Sequence, residues 1–119
     1  MSTYGKRKGS AFETGILKFL RTKGLLAERL RLAGKDDEGD IVCFVAGSPY
    51  ILELKATVKM DLPQFWREAT LEAANYAKAR GLESVPPAYV IVKRRMAGLD
   101  QSWVIQDLNQ WLAQSGIEA

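Results

Sequence analysis

The sequence predicts an α/β sandwich, a central mixed five-stranded sheet flanked by helices. Three observations carry this reading. Apolar, β-branched and aromatic runs at 41–45 and 50–54 flank a turn signal, Ala46-Gly47-Ser48-Pro49, which is the pattern of a hairpin. Asp61-Leu62-Pro63-Gln64 has a cap, an early proline and a Gln at the third position, and so starts a helix that runs to Arg80 and stops at Gly81. Further strand-like runs follow at 88–93, after Pro86-Pro87, and at 103–106. The predicted order is helix, three strands, helix, two strands, helix.

The first helix is expected to start at Ser10, with Ser10 as N-cap and Glu13 as its capping-box partner. Glu13 lies three, four and seven positions before Ile16, Leu17 and Leu20. It therefore borders the stripe that packs on the sheet, and can reach inward. Residues 25–32 alternate Leu30 and Leu32 with Arg29 and Arg31, a strand with one basic face. In the helix from Asp61, Phe65, Ala69, Ala73, Tyr76 and Ala77 form a narrow buried stripe, while Trp66 lies off it as a dimer or DNA contact. Asp107 is expected to cap a last helix with Leu108, Trp111 and Leu112 inward.

Side chains alternate faces along a strand. If the four residues 46–49 form the turn, Val45 lies opposite Tyr50, Val42 opposite Glu53 and Asp40 opposite Lys55. Asp40, Glu53 and Lys55 then share a face. Two carboxylates crowded on a partly buried sheet repel one another, and such a site either protonates or recruits a cation. Mg²⁺ takes oxygen ligands, so an Asp and a Glu near a strand end suit it. Lys55 could orient an attacking water or offset charge developing on a phosphate. The alternative is a cross-strand ion pair on a solvated face.

Composition narrows the chemistry. The chain has no histidine and one cysteine, Cys43, which removes Ser-His-Asp and Cys-His catalysis along with His- or thiolate-bound zinc. Cys43 is buried by pattern and fits a reducing compartment. A content of 47% hydrophobic and 26% charged residues in 119 is enough for one domain with a real core. The expectation is a single domain over 1–119, with residues 1–8 a flexible basic arm. Neither a membrane span nor a signal peptide is read, so the expected address is the cytoplasm, a host's if the source is viral. Nine Lys or Arg stand against two acids in residues 1–35, and eight against twelve beyond. The basic N-terminal third can contact phosphates, and Lys93-Arg94-Arg95 forms a second basic cluster.

The ordered set Lys8-Gly9-Ser10-x-x-Glu13, Asp40 at a strand start and Glu53-Leu54-Lys55 in the next strand resembles the archaeal-type Holliday junction resolvases. These belong to the PD-(D/E)XK, or restriction-endonuclease-like, nuclease superfamily. The resemblance runs from about Lys6 to Gly81. It implies a restriction-endonuclease-like sandwich and a metal-dependent phosphodiesterase site of Glu13, Asp40, Glu53 and Lys55. The metal, Mg²⁺ with Mn²⁺ able to substitute, would be held by Asp40, Glu53, the Leu54 carbonyl and Glu13. Lys6, Arg7, Lys8, Ser10, Arg29, Arg31, Lys35 and Gln64 would contact DNA. The implied enzyme is a homodimer that nicks four-way branched DNA symmetrically. Two other readings stay open: a nuclease of this superfamily acting on linear, flapped or damaged DNA, and a non-catalytic DNA-binding protein with the same fold. The sequence departs from the family pattern in two places. Gly39 stands where the motif has proline, and the loop before Asp40 contains Asp36-Asp37-Glu38 instead of Ser, Gly and basic residues. That loop reads as a solvated turn, a second metal site or a device holding the loop open before DNA binds.

Overall fold

The hairpin at the middle of the chain is closed by two residues. In the computed structural model, which describes residues 3–30 and 37–117, β2 (Ile41–Val45) pairs antiparallel with β3 (Ser48–Lys55) so that Val45 faces Ser48 and Ile41 faces Leu52. Ala46 and Gly47 both take positive φ, 51° and 82°, the backbone signature of a tight hairpin turn whose twist matches that of the strands. The expected pairing of Val45 with Tyr50 is therefore corrected by two residues, because Ser48 and Pro49 belong to the strand. Pro49 is tolerated there because it sits near the strand's start. A slip of two preserves side-chain parity, so the division of residues between the two faces survives the correction.

The sheet has the order β1-β2-β3-β4-β5. β1 (Leu26–Arg29) pairs antiparallel with β2, β4 (Ala88–Val92) runs parallel to β3, and β5 (Trp103–Ile105) is antiparallel to β4. The parallel step from β3 to β4 needs a crossover, supplied by α2 (Leu62–Arg80). Asp61 accepts a hydrogen bond from the Gln64 amide, and Gly81 ends the helix in the left-handed region at φ 63°, as the sequence implied. This is a mixed five-stranded sheet flanked by helices.

Each face has its own core. On one, Phe12, Ile16 and Leu17 of α1 (Thr3–Thr22) pack on Ala27, Ile41, Cys43, Leu52, Tyr89 and Ile91. On the other, Phe65, Ala69, Ala73 and Tyr76 of α2 pack on Val42, Ile51, Ala88, Val90 and Val92. Trp66 is half-buried, packing part of its side chain against this second core. Gly15 allows Leu99, in a short 3-10 turn (Leu99–Gln101), to lie against α1. A Cβ there would meet Leu99 Cδ1 at 2.7 Å.

Two helix expectations are revised. α1 begins at Thr3, so Ser10 is an exposed residue inside the helix and not its cap. Lys6, Arg7 and Lys8 ride on the first turns of that helix, and their side chains lie outside the described residues, as do Arg31 and Lys35 entirely. β1 is described only as far as Arg29, short of the strand read over 25–32. α3 (Leu108–Gln114) is capped by Asp107 but leaves Leu108 70% and Trp111 52% exposed, with Leu112 half-buried. Seven residues give it too little surface to bury a full stripe. It docks through Gln110 Nε2, which donates to the Ala88 carbonyl at 2.8 Å.

Candidate active site

Asp40 lies where the chain bends into β2. Gly39, at φ 105°, makes the bend. The Asp40 amide donates to the Leu52 carbonyl at 3.1 Å, and the Leu30 amide donates to the Asp40 carbonyl at 2.9 Å. Since Ile41 also faces Leu52 in the ladder, two residues of one strand address one of the next, the count of a bulge. The Asp40 side chain turns along β3, and its Oδ2 accepts from the Leu54 amide at 2.7 Å.

Glu53 and Lys55 point from β3 toward α2. Glu53 is only 6% exposed, and the carboxyls of Asp40 and Glu72 are its acidic neighbours. Burial first, then those two acids, push its pKa far above the ordinary value. Glu72 is also raised, again by burial first, with Asp37 and Asp40 adding to the effect. Two buried like charges side by side cannot both ionise cheaply, so each carboxyl is held above its ordinary range.

Lys55 Nζ donates to Glu68 Oε2 at 2.6 Å, stands 3.7 Å from Glu53 Oε2 and lies over the Phe65 ring. Burial opposes its charge, but the Glu68 hydrogen bond and the surrounding carboxylates outweigh that, leaving its pKa raised. Lys55 is therefore a fixed ammonium and not a base near neutrality. Gln64 Nε2 steadies Glu68 by donating to its other oxygen at 2.9 Å. Gln64 starts the helix as expected, its backbone amide capped by Asp61, while the side chain that the resemblance assigned to DNA touches this cluster.

Glu13 comes from α1, on the opposite face of the sheet. It is half-buried, and its pKa is raised by burial first and then by the charge of Asp40, against a lowering from Arg29. It thus senses Asp40 from the other side. Arg29 is exposed and donates to the Thr14 hydroxyl.

Sequence reading missed Glu68 and Glu72. A signal for Glu72 was present: positions 65, 69, 72, 73 and 76 form one helical stripe, and Glu72 is the charged member in it. Such a residue, 5% exposed, must meet something polar on the sheet, and Glu53 is there.

The loop before Asp40 is tied to α2. Asn75 Nδ2 donates to the Asp37 carbonyl at 2.8 Å, Glu38 pairs with Arg80, and the Gly39 amide donates to Asp37 Oδ1 at 2.9 Å. Of the acidic loop, Asp36 lies outside the described residues. Beyond Lys55, Lys93, Arg94, Arg95 and Met96 line a cleft of about 840 Å³ with Val58 and Trp103. Arg94 stacks on Trp103 at 5.1 Å.

The class that fold and site define is an α/β, nuclease-like sandwich, and a structural comparison supplies the reference. The chain is similar to Hjc of Archaeoglobus fulgidus, a Holliday junction resolvase from an archaeal hyperthermophile, with a TM-score of 0.53 and 25% sequence identity over 76% of this chain and 68% of that one. This likeness supports a resolvase-like nuclease. No protein-family model matches the chain, and no curated protein does. Among the described residues, no helix is long and apolar enough to cross a membrane.

Proposed function

We propose that this chain is a metal-dependent, structure-selective DNA endonuclease of the Holliday junction resolvase kind, with Asp40, Glu53 and Lys55 at its centre. The carrying observation is the 2.7 Å bond from the Leu54 amide to Asp40. It fixes one acid against the strand that presents the buried Glu53 and the charged Lys55, on a fold similar to a resolvase.

The donor set suits a hard divalent cation. Its side-chain donors are carboxylates alone, crowded beyond what one ammonium neutralises. Asp40, Glu53, the Leu54 carbonyl and Glu13 are the residues that would hold Mg²⁺, with Mn²⁺ able to substitute. When bound, the cation supplies positive charge against a phosphate and acidifies water.

The protein's own residues do the rest. The Leu54 amide orients Asp40, Gln64 and Glu68 hold Lys55, and the Lys55 ammonium faces charge that develops on the scissile phosphate. The basic cleft at Lys93 to Arg95 offers phosphate contacts beside the site. Lys6, Arg7, Lys8, Ser10, Arg29, Arg31 and Lys35 are the further proposed DNA contacts. A homodimer would present two such sites to opposite strands of a four-way junction, in the cytoplasm of the cell or of a host.

Glu53→Gln tests the reading. The variant should bind a four-way junction as wild type does and fail to cut it. Cutting at an undiminished rate would remove Glu53 from the site.

A further inference from the structure

The basic cleft beyond Lys55 has an apolar half that phosphate contacts leave unused. Lys55 pairs with Val92 in the sheet, and Val92 with Trp103. Residues in register share a face, so Trp103 stands on the face that carries Glu53 and Lys55. Neighbouring strands lie about 4.8 Å apart, which puts the Trp103 backbone roughly 10 Å from that of Lys55. The Lys93 amide donates to the Lys55 carbonyl at 2.9 Å, so the cleft wall starts where the site ends.

Trp103 is 48% exposed and lines this cleft together with the exposed apolar side chains of Val58, Met60 and Met96. Arg94 lies over its ring and donates to the Gln101 carbonyl at 3.4 Å, which steadies the ring in the wall. Among the described residues, no acid lines the cleft, and none of Lys93, Arg94 and Arg95 pairs with a carboxylate. In a duplex the base faces are stacked on one another, and a protein reaches only base edges and phosphates. An aromatic surface beside cations that have no acidic partner fits a base that has left its stack, with its phosphate on the cations.

We propose that this cleft holds one unstacked nucleotide, with Trp103 as the stacking surface and Lys93, Arg94 and Arg95 as the phosphate contacts. The inference rests on the nuclease reading only in placing a scissile phosphate at Lys55. The row from Lys55 through Val92 to Trp103 then leads from that phosphate to the ring, and the nucleotide beside the cut is the one taken. Fully paired linear DNA offers no free base face. A branch point, where stacking between arms is interrupted, does. Trp103 thereby favours branched over linear DNA, a discrimination that the carboxylates and Lys55 do not supply.

The test titrates the whole chain, without metal, with two labelled probes: a short oligo(dT) and a strand of abasic deoxyribose phosphates of the same length. The two carry the same backbone charge, and only the first carries bases. Wild type should bind oligo(dT) about tenfold more tightly than the abasic strand, with its tryptophan emission quenched by oligo(dT). Trp103→Leu should bring the two affinities together. Trp103→Phe should keep most of the difference and lose the quench, which assigns the quench to Trp103 and not to Trp66 or Trp111. Equal binding of both probes by wild type, binding of neither, or an undiminished difference in Trp103→Leu overturns the proposal. If Trp103→Leu fails to fold by circular dichroism, Trp103→Phe decides: loss of the quench supports the stack, and its persistence overturns it. Failure of the nuclease reading looks different, with base-dependent binding present and no DNA cut once Mg²⁺ is added.

Discussion

The amide of Leu54 donates to Oδ2 of Asp40 at 2.7 Å, joining two residues fourteen apart in the chain. The backbone that carries Glu53 and Lys55 thereby also aims Asp40. A site assembled this way depends on the β2–β3 register, and the bend at Gly39 keeps Asp40 at the strand's end.

Asp40→Asn keeps an oxygen for the Leu54 amide and removes the charge. We expect junction cleavage to fall on the order of 100-fold or more, the scale of losing one preorganised electrostatic group, with little change in stability. Asp40→Ala should additionally cost about 1–3 kcal/mol, because the Leu54 amide is left unpaired. Single-turnover cleavage and urea unfolding of both variants separate the two effects. Equal stability loss in the two would count against the hydrogen bond.

Stability without metal should fall as pH rises. Glu53 and Glu72 bind their protons more tightly in the fold than the unfolded chain does, burial being the first cause in each. The native state therefore carries more protons than the unfolded state above the ordinary value of 4.5, and stability declines with pH from there through neutrality. Lys55, raised above 10.5, and Glu68, lowered below 4.5, lie outside that window and do not oppose the trend. Mg²⁺ should flatten the profile, since it takes the place of the protons. Urea midpoints between about pH 5 and pH 8, with and without Mg²⁺, read this directly.

Gly39→Ala should damage fold and site together. At φ 105° any side chain is strained, and a Cβ would come to 2.9 Å from Ile51 Cγ2. A loss of about 2 kcal/mol or more is expected. Cleavage by the remaining folded protein should fall as well, because the bend positions Asp40. Full activity per folded molecule would show that the bend is not needed.

Asn75 and Arg80 hold the approach to Asp40 by gripping Asp37 and Glu38. Asn75→Ala combined with Arg80→Ala should cost little stability, about 1 kcal/mol at most for a half-exposed ion pair, yet slow cleavage severalfold. Unchanged cleavage would reduce the acidic loop to a solvated turn.

Much of this was legible from local chemistry. Asp61, Pro63 and Gly81 fix α2 because cap, early proline and left-handed stop each act within one turn of helix. The turn was misjudged because Ser48-Pro49 has the composition of a loop, and only pairing with Val45 and Phe44 makes it strand. Ser10 and Glu13 matched a capping box, but the residues before them also support a helix, and a local motif cannot forbid its extension. Glu72 was the most instructive omission. Its place on the α2 stripe was visible, whereas its partner Glu53 meets it only after the crossover lays α2 on the sheet.

The central claim meets its most direct test in cleavage of a synthetic four-way junction beside a matched linear duplex, with and without Mg²⁺. The account predicts paired, symmetric nicks in the junction alone, dependent on metal and lost in Glu53→Gln. Equal cutting of the duplex would contradict junction selectivity, and no cutting of either DNA by folded protein with Mg²⁺ present would contradict the nuclease itself.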